Sequence, residues 1–112
     1  MRPDRARFLR PEPKTLEELQ AAVAVREKGY DIHHIVEQTP ADRDSFARTL
    51  IDAPENLVRV PTLKHWEITA WFMQGKEDYG GLSPREYLLG KDWAERVRVG
   101  RQALIDVGVL KP

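Results

Sequence analysis

Apolar positions recur first at helical spacing, then at strand spacing, and then at helical spacing again. Leu16, Leu19, Ala22 and Val23 share one helical face behind a Thr15-x-x-Glu18 capping box, which predicts a helix over about 16–27 ended by Gly29. From Tyr30, the residues Ile32, Ile35 and Val36 form a short β-rich run that stops near Thr39-Pro40, a predicted strand. Residues 40–55 are polar apart from Phe46 and Leu50-Ile51 and predict a loop carrying a short helix. Asn56 to Pro61 alternates and ends in proline, so it predicts a second strand able to pair with the first. Thr62 is the expected N-cap of a helix running through Trp66, Ile68, Trp71 and Phe72 toward Gln74-Gly75. Ser83-Pro84-Arg85-Glu86 predicts a short helix closed by Gly90, and Asp92-x-x-Glu95 opens a last one ending at Gly108, with Trp93, Val97, Leu104 and Val107 as its apolar stripe. The order helix, strand, loop, strand, helix, helix, helix predicts an α+β domain over 15–112. It is preceded over 1–14 by an extended arm in which Arg2, Arg5, Arg7, Arg10 and Lys14 stand among three prolines.

Composition narrows the function classes. With 112 residues, 41% of them hydrophobic, the chain can bury one modest core and carry one site. Lys plus Arg and Asp plus Glu both number 18, so any attraction for nucleic acid has to come from local clustering of charge. Cysteine is absent, which removes disulfides, zinc knuckles and thiol chemistry. No apolar run approaches the roughly 20 residues of a membrane span, and no signal peptide is expected, so the chain reads as having no membrane partner.

All three histidines fall in one ordered series: Asp31-Ile32-His33-His34-Ile35-Val36-Glu37-Gln38, then Glu55-Asn56-Leu57-Val58, then His65. Histidine suits phosphodiester hydrolysis on two counts, since its neutral form is a base at working pH and also a metal ligand. Adjacent residues on a strand point to opposite faces, so His33 and His34 are expected to do different jobs. Glu37 is a weaker candidate for a metal-binding carboxylate, and Arg59 and Lys64 are the candidate phosphate contacts beside the site. Arg96, Arg98 and Arg101 form a second basic cluster, diluted by Glu95 and Asp106. Trp66, Trp71, Phe72 and Trp93 are the expected aromatic core.

A His-His pair, a downstream Asn before an apolar run and a third His opening a helix together resemble the HNH, or His-Me finger, nucleases, and in particular the cysteine-free nuclease domains of bacterial polymorphic toxins. The resemblance spans residues 30 to about 72. It implies a two-stranded hairpin plus helix, the ββα-metal finger, as a core motif over 30–74, with a helical extension over 76–112. It implies His33 and His65 as ligands of one divalent metal ion, His34 as general base, and Asn56 as the residue that ties the inter-strand loop and steadies the base. Magnesium is the expected ion, with manganese, nickel or zinc also acceptable to two imidazoles. The implied activity is a metal-dependent endonuclease of low sequence specificity, with DNA favoured over RNA. An immunity protein is a further implied partner, and the location is cytoplasmic or inside a target cell reached as part of a larger toxin. Many relatives carry another His or Asn one turn after the last His, where this chain has Thr69. The alternative is a non-enzymatic metal- or nucleic-acid-binding module with a structural histidine site.

Overall fold

The computed structural model describes residues 12–112, so most of the arm expected over 1–14 lies outside the described residues. Its last residue is pinned to the far end of the chain: the Lys14 amide donates to the Val109 carbonyl at 2.9 Å, and the Lys111 amide donates to the Lys14 carbonyl at 2.9 Å. Thr15 and Glu18 close the reciprocal capping box of helix α1, Leu16–Ala21. The helix is shorter than its periodicity predicts. It tightens into a single 3-10 turn at Ala22–Ala24 and becomes extended at Val25, whose carbonyl accepts from Arg59 at 2.9 Å instead of continuing the helical ladder.

Strands β1 (Tyr30–His34) and β2 (Leu57–Pro61) pair antiparallel, with Asp31 opposite Val60 and His33 opposite Val58. β1 ends sooner than expected, although the Ile35 amide still reaches the Asn56 carbonyl at 2.8 Å. The connection holds more helix than its polarity predicts: α2 (Gln38–Arg43), α3 (Arg48–Ile51) and a 3-10 turn at Pro54–Asn56 bury Ala41, Ile51 and Asn56. Helix α4, Thr62–Met73, follows β2 directly and packs on both strands. Thr62 lies inside this helix and does not cap it, its hydroxyl donating to Asp31 Oδ1 at 3.2 Å.

Ser83 caps α5, Pro84–Tyr87, with the full reciprocal box, and Asp92 caps α6, Trp93–Asp106. The second box is only half made, because the Glu95 carboxylate is taken by Arg98 and the Tyr87 hydroxyl. One core cluster joins Val58 and Val60 of β2, Ile68 and Phe72 of α4, and Val99 and Leu104 of α6. A satellite cluster under the inter-strand connection joins Val36, Ala41 and Ile51, with Phe46, Trp93 and Val97 packed against it.

The aromatic expectation needs correcting at one position: Trp66 is 66% exposed, because its side of α4 has no element over it, whereas Trp71 and Phe72 are buried. The basic cluster on α6 also divides. Arg96 is buried, pairing with Asp44 and donating to the Lys91 carbonyl, while Arg98 pairs with Glu95. The described residues thus form a mixed α+β domain of six α-helices around a two-stranded antiparallel hairpin, and none of its helices is long and apolar enough to cross a membrane.

Candidate functional site

A cleft of about 380 Å³ opens where the end of β1 meets the first turns of α4, and all three histidines line it. Strand alternation places Asp31 and His33 on one face of β1, opposite the buried Val60 and Val58 and turned toward α4. His65, in the first turn of α4, comes to meet them. The His33 and His65 rings lie edge to face with centroids 5.2 Å apart, and His65 Nδ1 is 3.0 Å from Asp31 Oδ2. Thr62 adds its hydroxyl to the other Asp31 oxygen, so that carboxylate is held from the helix at two points. A histidine oriented through one ring nitrogen by a carboxylate presents the other in a fixed direction, the usual support of a metal-ligating imidazole. The hydrogen bond to His65 holds the Asp31 carboxyl below its ordinary range.

His33 is buried, and its Nε2 has no hydrogen-bond partner among the described residues. Buried polar atoms are nearly always satisfied, so an orphaned imidazole nitrogen beside a second imidazole fits a ligand position. Burial, reinforced by the neighbouring His65 and His34, pushes the His33 pKa down to about 3, so the ring stays neutral as metal ligation requires. No group of three His, Asp or Glu side chains among the described residues is arranged to hold a metal ion. Within the cleft, His33 and His65 are the two imidazoles whose rings meet.

His34 leaves the strand on the opposite side and meets a different carboxylate, its Nε2 lying 3.0 Å from Asp52 Oδ1. With an ionised Asp52, that nitrogen carries the proton and Nδ1 keeps its lone pair. Asp52 is gripped in turn by Arg48, from Nε at 2.8 Å and from the terminal nitrogen at 3.1 Å. The His34 bond first and Arg48 second hold the Asp52 carboxyl below its ordinary range. Asn56 is 3% exposed and stitches the connection together: its amide nitrogen donates to the Ile51 and Val36 carbonyls at 2.9 and 3.3 Å, and its oxygen accepts from the Val36 amide at 2.8 Å. It makes no hydrogen bond to His34; the contact expected to steady that ring comes from Asp52.

The remaining expected residues are spread more widely. Arg59 stacks on Tyr30 at 4.3 Å, pairs with Glu27 and lies in a neighbouring groove beyond His65, outside the histidine cleft. Lys64 pairs with Glu67 along α4 and does not line the cleft either. Thr69 does line it, with its hydroxyl donating to the His65 carbonyl at 3.1 Å. Glu37 is committed to Arg85, which donates to it from Nε at 3.0 Å and from a terminal nitrogen at 2.5 Å.

Sequence reasoning missed Asp31 beside His65, Asp52 beside His34, and Arg43 and Arg85 in the lining of the cleft. Asp31 was recoverable, since it stands two residues before His33 and so shares its strand face. The other three are separated from the histidine pair by a helical connection or by the whole of α4. Compared with family models, with curated proteins and with solved structures, the chain matches none.

Proposed function

We propose that the chain is a metal-dependent endonuclease built on a ββα-metal finger of the HNH, or His-Me finger, class. Its substrate on this reading is nucleic acid, with DNA favoured, cut with little sequence preference. The observation that carries the reading is the division of labour between adjacent imidazoles: His33 meets the carboxylate-oriented His65 across the hairpin and helix, while His34, which lines the same cleft, engages a separate carboxylate behind it. Two imidazoles with open positions and one imidazole with a carboxylate partner are what hydrolysis of a phosphodiester asks for.

His34 takes the proton of the attacking water at Nδ1, and Asp52 holds its tautomer and stabilises the imidazolium that forms. Asp31 keeps the His65 ring aimed, and Asn56 keeps the connection between the strands closed so that His34 and Asp52 meet. A divalent cation at His33 and His65, magnesium in the first place and manganese, nickel or zinc as substitutes, would neutralise charge on the scissile phosphate and the departing oxygen. A toxin effector role, with an immunity protein as inhibitor, follows from the same resemblance and extends this reading.

The test is nicking of supercoiled plasmid with magnesium or with chelator. His34→Ala is expected to lower the rate by roughly 10²–10⁴-fold with the melting temperature unchanged. Near-normal nicking by that variant overturns the assignment. If chelator instead melts the protein and no condition yields cleavage, the histidines hold a structural ion and the non-enzymatic reading replaces this one.

A further inference from the structure

The helical extension after α4 supplies a side chain to the histidine cleft. Gly75 lets the chain double back, since a Cβ there would come within 2.6 Å of the Gly81 carbonyl oxygen. The Ser83 capping box then fixes the start of α5, and Arg85 reaches across to Glu37 and into the cleft. The pairing engages Arg85 Nε and one terminal nitrogen, which leaves the other terminal nitrogen without a hydrogen-bond partner among the described residues. An arginine held side-on by a carboxylate is already oriented, so its remaining N–H groups can meet a phosphate without losing further side-chain freedom. Arg43, at the end of α2, lines the same cleft and is exposed, with no ion pair among the described residues. Glu37 offsets one of these two cations. Among the charged side chains that line the cleft itself, the two arginines outnumber Glu37, while the Asp31 and Asp52 carboxylates stand behind His65 and His34 and are held there.

We infer that Arg43 and Arg85 form a two-armed clamp for the nucleic-acid backbone beside the three histidines, with Glu37 positioning Arg85 and the extension thereby completing the site. The clamp rests on the nuclease reading for its substrate class but acts through phosphate contact alone, so it can be tested without turnover. The probe is a fluorescein-labelled single-stranded oligothymidylate, titrated with the full chain in chelator over a range of salt concentrations.

Each phosphate contact contributes about 0.7 to the slope of log affinity against log salt for a single strand, so Arg43→Ala and Arg85→Ala are each expected to flatten the slope by that amount. Arg85→Lys keeps the charge and the slope but loses the side-on pairing, and is expected to bind about tenfold more weakly. Wild-type slope and affinity in both alanine variants, or no binding by the wild type in chelator, overturns the clamp. Arg43→Ala decides the matter even if the Arg85 variants fail to fold, because Arg43 is exposed and supports no packing. Altered slopes together with no cleavage of plasmid in any divalent ion would keep the clamp and remove the nuclease reading; cleavage with unaltered slopes would do the reverse.

Discussion

Two carboxylates decide what the histidines can do. Asp31 and Asp52 each take one ring nitrogen of a histidine, and they do so on opposite faces of β1, so His65 and His34 are oriented independently. Asp52→Asn is therefore expected to reduce plasmid nicking by at least tenfold while leaving binding of an oligonucleotide in chelator unchanged, because it disturbs the tautomer of His34 and touches no phosphate-binding side chain. Equal loss of binding and cleavage would argue against this role. Asn56 works differently, since three hydrogen bonds end on its side chain in a buried place. Replacing it with Ala leaves the Val36 amide and the Ile51 carbonyl without these partners, at about 3 kcal/mol. For a domain of this size that corresponds to a fall in melting temperature of roughly 12 °C or more, measurable by calorimetry.

At the level of elements, the histidine strand is held by a contact between backbones. Gly100 of α6 lies against the residue that follows β1: a Cβ there would stand 2.1 Å from the Ile35 carbonyl oxygen. Ile35 is a neighbour of His34, so α6 sets the height at which the His33-His34 pair leaves the sheet. Gly100→Ala is expected to destabilise by about 2 kcal/mol or more through overpacking, even though alanine is the better helix former, and a rise in melting temperature would contradict this contact. The junction of α5 and α6 carries the chain's clearest acid sensitivity. Arg98 first, and the Tyr87 hydroxyl second, hold Glu95 down to about 2 from its ordinary 4.5. A depressed carboxyl stabilises the fold above its unfolded value and loses that contribution as pH falls from about 4.5 toward about 2. Glu95→Gln is accordingly expected to flatten the decline of melting temperature across this window, because it loses the contribution at neutral pH and converges on the wild type near pH 2.

For the whole molecule, balanced charge means that, on the proposed nuclease reading, recognition of a polyanion would rest on side chains at the cleft and not on the overall field. The large cluster joining β2, α4 and α6 is apolar throughout and contains none of the three histidines. Chelator is thus expected to abolish cleavage and leave the melting temperature in place; a matching loss of both would assign the ion to the fold.

Outside the connection between the strands, the order of elements, the caps of α1, α5 and α6, the pairing of the two strands and the grouping of the histidines were legible in the chain. These depend on spacing and on contacts within a few residues, and periodicity and caps encode such contacts directly. Asp52 beside His34, Arg85 in the cleft, Gly100 under Ile35 and the exposure of Trp66 were not legible. Each depends on which surfaces meet, and which stay uncovered, after α2, α3, α5 and α6 have packed around the hairpin, and a residue's distance along the chain says nothing about what packing later sets against it.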